Sequence, residues 1–329
     1  MPIPPITPGD IFLLFYSFPF DFGTDLPIGI GPTVFLDSTP QKILYEADPA
    51  LADFVLPGYN LPGTGLVQCC LRKPLSITPP EGITAANAIF WSVAALRLVA
   101  PLGIGIAGQF ELSNSSEKIS SPSLYNLRSS WQPQSSQCSH YTRSLIDTAS
   151  HVADRIIEIR NEKRLFTAFN FFTQVTIGMV SSLQMAVMGL FAALECLFVP
   201  KGNYARTLAA RVAGFLSSFQ FPAQISEWLE HEYIHGRSML IHGIPDIRPS
   251  GTQPTQDDRR TGGTTDTTRT VAFGRLHELV RLSILGFLCL PDQIIRDHSG
   301  KSGTHLQGLI EALAPAEGAF INTQTAWCS

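Results

Sequence analysis

Two rhythms of apolar residues divide this chain. Up to about residue 74, short apolar runs at 11–16, 33–36 and 66–71 are set off by Pro- and Gly-rich segments. Runs of that length between turn residues predict short strands. Thr84 then stands before an Ala-rich run at 85–99 and offers the hydroxyl that caps a helix N-terminus. Pro101 stops that helix, and 102–112 reads as a further strand. Residues 1–112 are therefore expected to form a small mixed α/β domain.

The composition then shifts. Residues 113–141 are dominated by Ser, Gln and Pro and hold too little apolar surface to offset the entropy of ordering, so a linker is expected there. From Ser144 the apolar spacing becomes three or four, that of a helix with one buried face. Leu145, Val152, Ile156 and Ile159 lie among charges, and runs at 165–176 and 181–199 predict two helices apolar almost all round. Pro200, Gly202 and Asn203 break the chain. Asn203 can cap the next helix, whose stripe is Tyr204, Leu208, Val212, Phe215 and Phe219. Pro222 opens a helix that runs through Trp228 toward His242, where Gly243 and Pro245 end it. A polar insertion at 246–269 precedes a last strong helix with Leu276, Leu279, Val280, Ile284, Phe287 and Leu288 on one face, closed by Pro291. A short helix at 306–313 is also expected. The fold class predicted is mainly α, with the mixed N-terminal domain, the linker, and a helical domain over 142–329.

Composition narrows the functions. Of 329 residues, 44% are hydrophobic and 15% charged, with a net charge of −4. Without a basic excess, any RNA site has to be a local cluster of cations. The six cysteines form no CxxC pair, which argues against a disulfide framework or a cysteine zinc site and fits a reducing, cytoplasmic compartment. Cys196 and Cys289 fall in apolar stretches and are expected to be buried thiols. The N-terminus shows no basic segment followed by an apolar core, so no signal peptide is expected. The run 175–199 is long enough to span a bilayer. It carries Glu195, costly in lipid, so a helix buried within protein, and no membrane partner, is the expectation.

Chemistry concentrates at 230–243, EHEYIHGRSMLIHG, which holds three of the eight histidines. Arg237, Ser238, His242 and Gly243 form the pattern RSxxxHG. Upstream, Ala193-Leu194-Glu195-Cys196-Leu197 reads ALExL, and Arg206 and Arg211 lie in the helix between. In these pieces and their order, the span of about 145–290 resembles the Apea-like HEPN family. The resemblance implies a HEPN-like helical bundle that pairs as a homodimer and takes RNA as its partner. It also implies a role in prokaryotic defence or toxin systems, with metal-independent endoribonuclease chemistry and no cofactor. In that reading Arg237 is the fixed cation for the phosphate, and His242 moves the proton of the RNA 2′-hydroxyl. Ser238, Glu195 and Gly243 support them. Two positions depart from the family pattern: Ile234 stands where an aromatic is common, with Tyr233 one place earlier, and Ser238 stands where active members carry Asn, Asp or His.

In a regular α-helix, five residues place Arg237 and His242 roughly 140° apart. Either the helix frays at Gly243 or a second copy completes the site. Simpler roles stand beside this one: Arg237 neutralising Glu195, and His242 capping the helix C-terminus. The rival function is a non-catalytic HEPN module that binds RNA, a nucleotide or a protein partner.

A second motif overlaps the first. His231-Glu232-Tyr233-Ile234-His235 is an HExxH, in which two histidines on one helix face hold zinc and Glu232 acts as base. This zinc-peptidase alternative lacks the usual apolar residue two places on, where Arg237 stands. It also lacks a third ligand on the same helix, since His242 is about 10 Å further along the axis; Glu278 is the downstream candidate. Gly300-Lys301-Ser302 resembles the end of a phosphate-binding loop without its first glycine, and Gly29-Ile30-Gly31-Pro32 reads as a turn. Arg275, His277 and Arg281 on the last helix read as a solvated face.

Overall fold

The computed structural model describes residues 4–18, 20, 26–38, 69–102, 104–112, 119–124, 140–177, 183–199, 204–216, 225–238 and 266–300. The described chain is mainly helical with a smaller antiparallel sheet. It divides into two compact units, the break falling between Ile157 and Glu158.

The first unit is built on a six-stranded sheet. In chain order the strands are β1 (Ile11–Ser17), β2 (Ile28–Ile30), β3 (Val34–Ser38), β4 (Cys69–Lys73), β5 (Gly105–Leu112) and β6 (Ile119–Leu124). Their spatial order is β2-β3-β4-β1-β5-β6, with each neighbouring pair antiparallel. Strands β1, β3, β4 and β5 lie close to the expected runs. Strand β2 overlaps the start of the segment expected to be only a turn, at Gly29 and Ile30; the turn is the following Gly31, at φ +70°, a backbone region that glycine enters without strain. Strand β6 corrects the expectation of a linker over the whole of 113–141. It takes its main-chain bonds from β5, with a bulge that sets Ser121 and Pro122 against Phe110. An edge strand with a bulge tolerates the missing amide of Pro122.

Helix α1 (Ala85–Val99) begins where expected: the Thr84 hydroxyl accepts from the Asn87 amide at 3.2 Å. It is buried almost all round and packs on β1, β3 and β4. Helix α2 (Arg143–Glu158) is expected with the helical domain but groups mostly with the sheet. Two contacts explain this: Gly31 N donates to Ser150 Oγ at 3.0 Å, and Tyr141, just before the helix, donates to the carbonyls of Leu96 and Ala100 at 3.2 and 3.0 Å. The unit also buries a charge network. Arg72 bonds Asp10 at 3.2 Å, Asp37 at 2.8 Å and the Pro4 carbonyl at 2.9 Å.

The second unit is helical: α3 (Lys163–Thr176), α4 (Leu183–Phe198), α5 (Tyr204–Leu216), α6 (Ile225–Glu232), α7 (Asp266–Leu288) and α8 (Asp292–Gly300). Between α6 and the end of its described run, Tyr233–Ser238 is wound as a wider π-type turn. Helix α4 is the hub, packed by α3, α5, α7 and the π-type turn, which is why its sequence is apolar on nearly every side. Phe198 of α4, Phe215 of α5 and Phe287 of α7 form one aromatic cluster with centroids 4.8 to 5.6 Å apart. The long apolar run of 175–199 is divided, since α3 closes at Ile177 and α4 starts at Leu183. No helix among the described residues is long and apolar enough to cross a membrane.

Helix α7 starts within the expected polar insertion, at Asp266, and α8 follows Pro291 where no helix is expected. The expectation that His277 and Arg281 form a solvated face is overturned: both are buried, at 2% and 0% exposure. Helix α7 packs against α3, α4 and α5, so it has little open face. Arg281 is matched by Glu278, and His277 lies between Phe172 and Phe273. Cys289 is likewise exposed rather than buried, because it stands one residue past the end of α7. Asn203, Phe219, Pro222, the insertion at 246–265, and everything after Gly300, including Lys301, Ser302 and the run 306–313, lie outside the described residues.

Candidate functional site

The site is assembled from three elements around one cleft of about 560 Å³. Helix α4 supplies Ala192, Glu195 and Cys196, residues three and four apart and thus on one face, and Val199 follows its last residue. The first turns of α3 supply Lys163, Arg164 and Thr167, and the π-type turn supplies Arg237. The volume is in the range of small-molecule sites, roughly 300–1,000 Å³.

Arg237 meets Glu195 edge-on. Its Nε lies 2.8 Å from Glu195 Oε1, and its Nη2 donates to Oε2 at 3.3 Å. Tyr233 donates its hydroxyl to the same Oε1 at 2.7 Å. The guanidinium carbon also sits 4.9 Å from the Tyr233 ring centroid, within cation–π range. Tyr233 in turn packs edge-on against Phe191, one α4 turn before Glu195. A two-pronged ion pair, a phenol and a ring face hold Arg237 in one orientation. The simpler role foreseen for this arginine, neutralising Glu195, is thus present in the structure. The guanidinium has five N–H groups, and Glu195 takes the edge formed by Nε and Nη2.

Gly236 lies within the π-type winding, and glycine weakens a regular α-helix. Such turns close hydrogen bonds over five residues rather than four and recur at functional sites. His242 and Gly243 lie outside the described residues, and Ser238 is described by its backbone alone.

The winding also bears on the HExxH motif. His231 and Glu232 end α6, while His235 falls in the π-type turn, so the α-helical register that aligns two imidazoles is not kept between them. His231 is half exposed, with Nδ1 3.9 Å from Glu232 Oε1. Glu232 is buried, at 6% exposure. Glu278, the candidate third ligand, is held by Arg281 at 2.7 Å through Nε. Among the described residues no three His, Cys, Asp or Glu side chains gather as a metal site. Nearby, Arg275 stacks over Trp228 at 4.6 Å. Burial pulls the Arg275 guanidinium below its ordinary value, and Glu232 opposes that shift.

The residues that sequence reasoning missed are on α3. Arg164 lines the cleft, and both of its terminal nitrogens are buried without a hydrogen-bond partner among the described residues. Burial lowers its guanidinium from the ordinary value; Cys196 works against that shift and Arg211 adds to it. Burial likewise raises the Cys196 thiol, with Arg164 opposing the rise. Arg211 donates to the carbonyl of Phe198, whereas Arg206 is exposed. The available signal was Lys163-Arg164, two adjacent cations opening a largely apolar helix whose first turn holds no acidic residue, with Glu162 at its N-cap. Comparison with protein-family models, curated proteins and solved structures found no match to this chain.

Proposed function

We propose that the chain is a HEPN-like, RNA-directed effector, a cytoplasmic homodimer of the kind that serves prokaryotic defence or toxin systems, with metal-independent endoribonuclease chemistry. The observation that carries this reading is the Arg237–Glu195 pair. The arginine of RSxxxHG and the glutamate of ALExL, 42 positions apart, are the two motif elements of the resemblance, and they meet at one cleft. A helical unit built around α4 also agrees with it. The cation is oriented before any ligand arrives, which is what stabilising a developing phosphate charge requires.

His242 is the proton-moving partner in this proposal. A second copy of the chain supplies the other Arg–His pair across a shared cleft.

One observation favours the non-catalytic module as a second reading. Both prongs of one Arg237 edge are already spent on Glu195, so the arginine serves as a structural tie as well as a cation.

The test is RNA cleavage by the purified chain in EDTA, comparing wild type with Arg237→Ala and His242→Ala. Cleavage lost in both variants is the expected result. Cleavage unaffected by either substitution overturns the site. RNA bound but not cut by the wild type selects the binding module, and cleavage or peptidase activity abolished by EDTA selects the zinc reading.

A further inference from the structure

We propose that the cleft between α3 and α4 is a phosphate-binding site anchored by Arg164, a residue outside the RSxxxHG pattern. The inference stands whether or not RNA is cut there, since it requires only that a phosphoryl group be held.

Among the described residues three cations line the cleft, Lys163, Arg164 and Arg237, against one carboxylate, Glu195. That carboxylate is already engaged by Arg237 and Tyr233. Among the described residues of the cleft wall Arg164 therefore has no anionic partner, and its two terminal nitrogens are buried with no hydrogen-bond acceptor among them. Arg211 lies close enough to add like-charge repulsion. Guanidinium nitrogens kept from water without an acceptor are costly. The cost is removed by an anion with two oxygens spaced for a guanidinium fork, and a phosphate has that geometry.

The surroundings fit the same ligand. Arg164 is the second residue of α3, a helix with no side-chain cap and no acidic residue in its first turn. The first-turn amides of a helix add positive potential at its N-terminus. Thr167, one turn on, offers a hydroxyl to the cleft, and Ala192 and Val199 give it an apolar wall. The chain as a whole carries a net charge of −4, so this is a local positive site in an acidic protein.

Two sources share the chemistry: a terminal phosphate, as on a nucleotide or an RNA 5′ end, and the phosphodiester backbone of RNA. The experiment uses the full chain with inorganic phosphate, and with one RNA oligonucleotide carrying either a 5′-phosphate or a 5′-hydroxyl. The readouts are thermal shift and calorimetric binding at matched ionic strength. Inorganic phosphate is expected to raise the Tm of the wild type and of Arg296→Met, which removes an exposed cation on α8, but not that of Arg164→Met. Arg164→Met is expected to weaken binding at least about tenfold. Arg164→Lys, which keeps the charge but not the fork, is expected to fall between them. Without phosphate, Arg164→Met is expected to melt no lower than wild type, because an uncompensated cation has been removed. Preference for the 5′-phosphate oligonucleotide assigns the site to terminal phosphates; equal binding of both, lost together in Arg164→Met, assigns it to the backbone. No phosphate-dependent shift in the wild type, or the same shift in Arg164→Met, overturns the proposal.

Discussion

Glu195 Oε1 receives both the Tyr233 hydroxyl at 2.7 Å and Arg237 Nε at 2.8 Å. One carboxylate oxygen thus ties the π-type turn to the central helix of its unit. The pair is partly buried, with side-chain exposures of 25% for Arg237 and 21% for Glu195. A double-mutant cycle of Arg237→Gln and Glu195→Gln is expected to give a coupling of about 1–2 kcal/mol by urea denaturation. Tyr233→Phe removes one bond and keeps the ring, so a smaller loss of about 0.5–1.5 kcal/mol is expected. Strict additivity of the Arg237 and Glu195 substitutions would mean the contact holds nothing together.

The sheet unit has its own buried charges. Arg72 lies among Asp10, Asp37 and the Pro4 carbonyl, and Asp10 also accepts from the Leu75 amide at 2.9 Å. Removing one member strands the others away from water. Asp10→Ala is expected to cost about 3–5 kcal/mol, read as a lower urea midpoint with an unchanged slope. A loss under about 1 kcal/mol would place this network with exposed ion pairs instead.

The aromatic cluster tests the core of the helical unit. Phe198 is fully buried and contacts both Phe215 and Phe287. Phe198→Ala is expected to cost about 3–5 kcal/mol, and the better-filling Phe198→Leu distinctly less. Equal losses would show that edge-to-face ring contacts matter more than volume.

Thiol burial makes a prediction about alkaline pH. Burial raises the Cys69 thiol from 9.0 to about 12, and Cys70 moves the same way. Between those values the unfolded chain has released the proton and the folded chain has kept it. The unfolded state therefore binds fewer protons, and stability falls as pH rises from about 9 to about 12. Cys69→Ala is expected to flatten that fall in a pH series of denaturation curves. The same burial orders thiol reactivity: exposed Cys289 is expected to be alkylated before Cys196, and Cys69 and Cys70 only on unfolding. Mass spectrometry of timed samples reads that order, and early labelling of Cys70 would contradict it.

Much of the helical unit was legible in the sequence. Helices α3 and α4 match their predicted runs within about two residues, and α5 begins where its stripe begins, at Tyr204, the ordinary scatter of helix ends. Thr84 capped α1 as its hydroxyl and position foretold. The reason is locality: helical period, caps and breakers act within a few residues of each other. Strand β6 was not legible, because its order comes from main-chain bonds to β5 rather than from an apolar pattern of its own. His277 and Arg281 were misplaced for a related reason. Polar residues opposite an apolar stripe look solvated until neighbours close over that face too, as α3, α4 and α5 do around α7.

The candidate site divides the same way. Sequence alone singled out Arg237 and Glu195 and set them on separate helical segments, since motif spacing and apolar period are local properties. It could not show that they meet, that the chain widens into a π-type turn at Tyr233, or that Arg164 joins them at the cleft. Those are facts of packing. Which charge is answered by which depends on how distant segments are brought together, and the cost of an unanswered guanidinium arises only after folding has taken the water away.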